Sequence, residues 1–355
     1  MRQLAFDGRF IKPNHPDGIS RFSLGLISEL AKLTNLKVVV CDQLVVKKLP
    51  SNVEIIWAGK PTSALELFTA LKLNSAGIDV LFSPMQTTSG MGRKFKLVLT
   101  LHDLIYYRHR TPPKEFNPLV RLTWWLYHLS FVPQRLVLNA ADAVVTVSET
   151  TKKQMLRHRL TKRPIEVIYN AADQAPAATR RDNSGSRDLV YMGSFIGYKN
   201  VEALIKGMAL LPEHTLVCLS RIAEHRKAEL TELALSVGAK IQFENGVSEE
   251  QYHQWLLKAQ ALVTASSDEG FGIPVIEAME RGTPAVVSNL EIFQEIGSDA
   301  ALFFDPANPQ SFAEQVQQLG DSAKWQQASE LSIEQAAKFS WESSARKLLT
   351  LLQQI

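Results

Sequence analysis

At 355 residues the chain is long enough for two domains with ample core. Its 45% hydrophobic and 21% charged residues are those of a globular protein, not a disordered or fibrous one. The net charge of +3 conceals a division: residues 1–181 hold 26 Lys and Arg against 13 Asp and Glu, and residues 182–355 hold 13 against 23. Only Cys41 and Cys218 occur, which argues against a disulfide framework or a cysteine metal site. The opening MRQLAFDGRF has neither the apolar core nor the cleavage pattern of a secretory signal, and the most apolar window, Leu122–Val132, is too short to cross a bilayer. A soluble, cytoplasmic protein is expected.

Taken in order, the first half alternates strands and helices. Leu4–Phe6 reads as a strand, and a loop from Gly8 to Asp17 leads into the helical pattern Phe22, Leu26, Ile27, Leu30, Leu33. Strands follow at Lys37–Cys41 and Val53–Trp57, a helix at Leu65–Leu73, and strands at Val80–Ser83 and Lys96–Leu101, the last running into His102 and Asp103. Arg121–Leu138 is a helical pattern around Pro133, Ala143–Val147 a strand, Thr150–Arg157 a helix and Ile165–Ile168 a strand. Asn170–Asp188 has few large apolar residues and no period, so it reads as a linker. The alternation resumes with a strand at Leu189–Met192, a loop at Gly193–Lys199 and a helix at Val201–Leu211, and it runs to helices at Ser311–Leu319 and Trp325–Gln353, the latter interrupted near Phe339–Trp341. Such alternation predicts mostly parallel sheets with helices on both faces, whose ligands lie beyond the carboxyl ends of strands. Loops 8–20, 102–103, 193–200 and 266–274 occupy such places.

The most informative stretch is Thr264–Gly282, TASSDEGFGIPVIEAMERG. A strand ends in Ser266, Ser267, Asp268 and Glu269. Gly270-Phe271-Gly272 follows, and a helix opens at Pro274. Glycines admit a ligand close to the backbone, proline suits the first helical turn, and unpaired N–H groups at a helix start favour phosphate. Glu269 and Glu277 flank the turn, two acids able to hold hydroxyls. On local chemistry alone, Glu277 could equally serve the helix dipole.

These residues resemble those of GT-B glycosyltransferases, specifically the retaining enzymes of family four. Glu269–Glu277 matches that family's E-x7-E signature within EGFGIPVIEAME. LVYMGSFIGYKN, FENGVSEEQYHQWLLKAQALV, EIFQEIGSDAALFFDP, TLHDL, VVTVSETTKK, VIYNAAD and DGISRFSLGLISEL are similar to further family motifs, so the likeness covers nearly the whole length. It implies an α/β fold of two tandem Rossmann-like domains with a deep interdomain cleft. The domains would be an acceptor-side domain over 1–173, a linker over 174–188, a donor domain over 189–338, and a C-terminal helix over 339–355 returning toward the N-terminal domain.

The resemblance also implies roles. Glu277 would bind the ribose hydroxyls of a nucleotide, and Glu269 hydroxyls of the transferred sugar. Backbone N–H groups around Phe271, Gly272, Ile273 and Pro274 would face the sugar and diphosphate. Lys199 would neutralise the departing diphosphate, Gly18 would let backbone reach the same phosphate, His102 would lie over the anomeric region, and Gly246 and Val247 would lie near the base. Many family members carry an arginine just before the lysine. Here that loop is Ser194–Tyr198, so either Arg221 supplies the second charge or Lys199 acts alone. A lone His102 could instead cap a strand, Asp103 could hold its own turn, and Arg221 could be a surface residue near Glu224.

The reaction expected is a metal-independent transfer with retained configuration. A fixed cation and helix-start N–H groups can stabilise the leaving diphosphate, no D-x-D sequence occurs, and no paired acid and base are required. Mannose from GDP-mannose is the expected donor group, with UDP-glucose or UDP-N-acetylglucosamine as alternatives. A catalytically silent nucleotide-sugar-binding subunit, or another GT-B chemistry such as an epimerase or phosphorylase, remains as a competing class. The acceptor would be a glycan or lipid-linked. Residues 93–163, with 14 basic and 4 acidic residues, include Trp124, Trp125, Tyr127 and Phe131. This region would suit peripheral contact with an anionic membrane at its inner face, although such an aromatic stripe more commonly packs on the N-terminal sheet. No nucleic-acid motif accompanies the basic residues, and no G-x-G-x-x-G of a nicotinamide enzyme follows the first strand of either domain.

Overall fold

Short β-branched runs such as Lys37-Val38-Val39-Val40 and Ala143-Val144-Val145-Thr146 lack the alternation of a half-solvated sheet, and they form parallel strands covered on both faces. The computed structural model describes residues 2–14, 17–112, 117–173 and 181–355. The first sheet contains β1 (Leu4–Asp7), β2 (Leu36–Val40), β3 (Glu54–Trp57), β4 (Val80–Ser83), β5 (Lys96–Thr100), β6 (Ala143–Thr146) and β7 (Ile165–Val167). All its pairings are parallel, in the order β3-β2-β1-β4-β5-β6-β7. The second contains β8 (Asp188–Tyr191), β9 (Thr215–Cys218), β10 (Ile241–Phe243), β11 (Ala261–Thr264), β12 (Ala285–Ser288) and β13 (Ala301–Phe304). It is also parallel throughout, in the order β10-β9-β8-β11-β12-β13. Central strands β1, β4, β6, β11 and β12 are buried along their whole length, whereas the edge strands β3 and β10 are not.

The chain divides into two units, Met1–Ala171 with Ser340–Ile355, and Ala172–Phe339. In both, the strand order reverses beside the first strand, between β1 and β4 and between β8 and β11, which makes the two Rossmann-like switch points where such sheets hold ligands. In the first unit, helix Gly18–Leu33 is capped by the Asp17 carboxylate and buries Phe22, Leu26, Ile27 and Leu30. Helix Trp341–Gln354 packs on it, with the Trp341 ring so close that a Cβ added at Gly25 would lie 2.4 Å from it. Ser344 Oγ donates to the Tyr169 carbonyl at 2.8 Å on the same unit. At the end of β1, buried Arg9 lies between Asp7 (2.8 Å) and Glu66 (2.6 Å).

Three expectations need correction. The single helical pattern over Arg121–Leu138 is two helices, Pro118–Tyr127 and Val132–Ala140, because Pro133 sits in the first turn of the second, where its missing N–H costs nothing. Nor does the first of these pack on the sheet, since none of its residues is buried. The segment around the linker is also less free than its composition suggests. Asn170 and Ala171 are buried, Asn183 Nδ2 donates to the carbonyls of Leu257 (2.8 Å) and Ala259 (2.9 Å), and Asp188 already starts β8; residues 174–180 lie outside the described residues.

Candidate active site

The two loops that leave β8 and β11 flank the switch point of the second sheet, and hydrogen bonds tie them together. Ser267 N–H donates to the Tyr198 carbonyl at 2.7 Å, and Ser267 Oγ donates to the same oxygen at 3.1 Å. The first loop ends in a single 3-10 turn, Gly197–Lys199. This turn carries Lys199 Nζ to Glu269 Oε1, forming an ion pair that is mostly withdrawn from solvent on both sides. Ser266 Oγ donates to the same Glu269 oxygen at 2.9 Å and so fixes the acid from below.

Helix Ile273–Glu280 starts immediately afterwards, one residue earlier than the sequence suggested, with Pro274 in its second position. Its cap is Gly272, which brings no side-chain acceptor to the first N–H groups. Gly272 has φ 101°, and a Cβ there would meet Phe293 Cε1 at 2.8 Å, so the turn requires glycine on both backbone and steric grounds. The positive end of the helix dipole therefore opens beside the Lys199–Glu269 pair, favouring an anion.

Glu277 lies one turn inside the helix and is buried. Its Oε2 accepts a hydrogen bond from the Tyr252 hydroxyl at 2.9 Å. Tyr252 comes from helix Glu249–Lys258, whose start is fixed by a capping box of Ser248 and Gln251. Arg281 Nη1 donates to the Glu277 carbonyl at 3.0 Å and steadies the same turn.

On the other side of β8, Gly246 adopts φ 104°, with its N–H on the Leu219 carbonyl at 3.0 Å. The stem of Arg221 runs against this turn, with Cγ 2.7 Å from where a Cβ of residue 246 would be. The Gly246 turn and the Arg221 stem are thus neighbours, as are Lys199 and Glu269, while Glu277 is tied through Tyr252 to the helix that follows Val247.

In the first unit, Gly18 opens its helix and is exposed. Asp17 beside it accepts from Ser20 N–H at 2.9 Å and pairs with Lys12 at 2.7 Å. Burial works against the Asp17 charge, but Lys12 and the two Ser20 donors outweigh it and hold the carboxyl below its usual range. His102 follows β5. Its Nε2 is 2.8 Å from the Pro84 carbonyl, and its ring stands edge-on to Phe22 with centroids 5.2 Å apart. Burial lowers its pKa despite that carbonyl, so the ring is neutral at pH 7. Asp103 accepts from Ile105 N–H at 2.9 Å and holds its own turn.

Two family models divide the chain between them: "Glycosyltransferase Family 4" matches residues 17–175 and "Glycosyl transferases group 1" matches residues 177–353. The chain belongs to the family-four glycosyltransferases. Among curated relatives, this glycosyltransferase is 29% identical over 232 residues to the O-antigen chain mannosyltransferase RfbU of Salmonella typhimurium, an alignment covering 63% of this chain and 62% of that protein. It is 25% identical over 269 residues to O-antigen chain mannosyltransferase B of Escherichia coli, covering 70% and 68%. The likeness to RfbU thus spans rather less than two thirds of that protein. Among solved structures, sucrose-phosphate synthase of Thermosynechococcus elongatus superposes with a TM-score of 0.75 at 20% identity over 100% and 99% of the two chains. HepE of Anabaena, solved with UDP and glucose, gives 0.75 at 16% over the full length of both. These similarities establish the GT-B fold.

Sequence reasoning missed two side chains of this site. Ser266 is visible in hindsight as the first residue of a Ser-x-x-Glu turn. Tyr252 carries no local signal, because its partner lies 25 residues away on another helix.

Proposed function

We propose that this glycosyltransferase moves mannose from GDP-mannose onto a glycan or lipid-linked acceptor in the cytoplasm at the inner face of a membrane, with retained configuration and without a metal. The observation that carries the reading is the juxtaposition of Lys199 and Glu269 with an uncapped helix start at the switch point of the second sheet. The names of the curated relatives favour mannose. The donor diphosphate would settle on the N–H groups around Phe271–Pro274 with Lys199 as counter-charge. Glu269 would turn to the sugar hydroxyls and Glu277 would offer Oε1 to the ribose. Gly246 and Val247 would receive the base, with Arg221 serving the nucleotide from that turn.

In the transfer, the bond from the anomeric carbon to the phosphate oxygen breaks and the bond to the acceptor oxygen forms on the same face. The acceptor proton passes to the departing phosphate oxygen, whose charge Lys199 and the helix dipole stabilise. Lys199 and the helix start would supply the counter-charge that a metal could otherwise supply. The test is turnover of purified chain on GDP-mannose, UDP-glucose and UDP-N-acetylglucosamine without acceptor and with chelator. Hydrolysis confined to the GDP sugar supports the proposal; preference for a UDP sugar, dependence on divalent cation, or an inverted product refutes the corresponding part. Absence of turnover with tight donor binding would instead favour a silent binding subunit.

A further inference from the structure

The loop that carries Lys199 has little beneath its apex. Ile196 is exposed, and a Cβ added at Gly197 would meet nothing within 4 Å. Where Lys199 stands is therefore decided by what holds the two ends of the loop. At the near end, Gly193 N–H donates to Ser220 Oγ at 3.0 Å, and Tyr191 Oη donates to the Ser194 carbonyl at 2.6 Å. The buried Phe195 ring is anchored beside Tyr191 and Phe243, with centroids 5.7 and 6.0 Å away. Its carbonyl accepts from Arg226 Nε at 3.1 Å.

Arg226 reaches both ends. It stands in the first turn of helix Glu224–Val237, and its Nη2 pairs with Glu202 in the first turn of helix Val201–Met208, which begins two residues after Lys199. Nη1 donates to Glu229, three residues further along its own helix, at 2.9 Å. One planar guanidinium thus spans from the residue before the apex to the helix after Lys199, and Glu229 keeps its plane from turning. Burial works against the Arg226 charge, but the hydrogen bonds to Glu202 and Glu229 outweigh it and hold the proton more tightly than usual. Two carboxylates more than offset this cation, so it has no surplus charge for a phosphate. Its service to the reaction is through the loop.

We propose that Arg226 is a positioning residue for the transfer, clamping the Phe195 carbonyl to Glu202 so that the loop delivers the Lys199 ammonium to Glu269 and the switch point. The proposal rests on the assignment of Lys199 to the departing diphosphate. A lysine side chain carries carbon where Arg226 carries Nε, so Arg226→Lys keeps a cation for Glu202 and Glu229 but loses the Phe195 hydrogen bond. Arg226→Gln loses both. Donor hydrolysis by the purified full chain should fall about tenfold in kcat in either variant, with donor KM within about threefold of the parent. The thermal midpoint of the lysine variant should nevertheless stay nearer the parent than that of the glutamine variant. In a Lys199→Met background either change should cost less than about twofold more, because Arg226 acts through the residue already lost. Hydrogen exchange supplies a readout independent of activity. The amides of Lys199 and Asn200, which donate to the Ile196 and Gly197 carbonyls at 2.9 and 3.1 Å, should exchange faster in both variants. Unchanged exchange at those amides overturns the proposal. So does a lysine variant with the parent's rate, which would reduce Arg226 to an ion-pair partner, and so do losses that multiply with that of Lys199→Met. A Lys199→Met rate near the parent's, or no hydrolysis by the parent, refutes the leaving-group reading instead, and exchange alone then decides whether the clamp holds the loop.

Discussion

Replacing Lys199 with methionine tests the proposed chemistry most directly. The side chain keeps its approximate length, so packing beside Tyr198 is preserved while the charge is removed. Two unit charges 4 Å apart at an effective dielectric near 20 interact by about 4 kcal/mol. Because Glu269 also shares the ammonium, a net loss of about 2–3 kcal/mol of transition-state stabilisation is the better figure, or about 30- to 150-fold in kcat/KM. Glu269 retains the Ser266 hydroxyl but loses its cation in a place mostly withdrawn from solvent, so the stability cost should be about 1–3 kcal/mol. Initial rates of donor hydrolysis by purified Lys199→Met and Lys199→Arg, with thermal midpoints alongside, measure this. The arginine variant should recover much of the loss. Rates for the methionine variant within about threefold of the parent, measured well below its thermal midpoint, would refute the assignment of Lys199 to the leaving group.

Tyr252→Phe removes the hydroxyl that occupies Glu277 Oε2 and should raise the donor KM about five- to tenfold with little change in kcat, read from steady-state kinetics. Gly272→Ala forces a Cβ at positive φ against Phe293 and should lower stability by about 1–3 kcal/mol in urea titration. Arg9→Met leaves Asp7 and Glu66 without their buried partner and should cost about 3–5 kcal/mol by the same measurement. The folded chain holds His102, His128 and His214 below the ordinary histidine pKa, burial being the first cause in each. The unfolded chain therefore binds more protons, and stability present above about pH 6.5 should decline as pH falls through that value. Replacing His102 with glutamine should flatten the decline in urea midpoints measured across that range.

Much of the architecture was legible because strands buried on both faces have to be continuous apolar runs, and the turns between them have to be glycine, proline or small polar residues. The switch-point loops were legible for the same reason: Glu269 and Glu277 stand where a strand such as β11 feeds a helix. Tertiary side-chain pairing was not, as Tyr252 and Glu277 illustrate, since no periodicity links residues on separate helices. One-turn helices such as Gln43–Val46 and Ile105–Arg108 are too short to show a period. Pro133 was ambiguous because a proline inside a helical pattern and a proline opening a new helix look alike in sequence. The leucines beside it announce amphipathicity but not which face the protein keeps, and here the aromatic side faces inward.

Trp341 lying against Gly25 has a consequence for biosynthesis. The unit that begins at the amino terminus lacks one of its helices until the ribosome has passed residues 341–354, about half the chain after Ala171 has been made. At ordinary elongation rates that interval is about 10–40 s. Throughout it, helix Gly18–Leu33 displays an uncovered groove shaped for an indole ring. A gene fragment ending after Ala171 should therefore aggregate more readily than the full chain, and Trp341–Gln354 supplied as a separate peptide should reduce that aggregation.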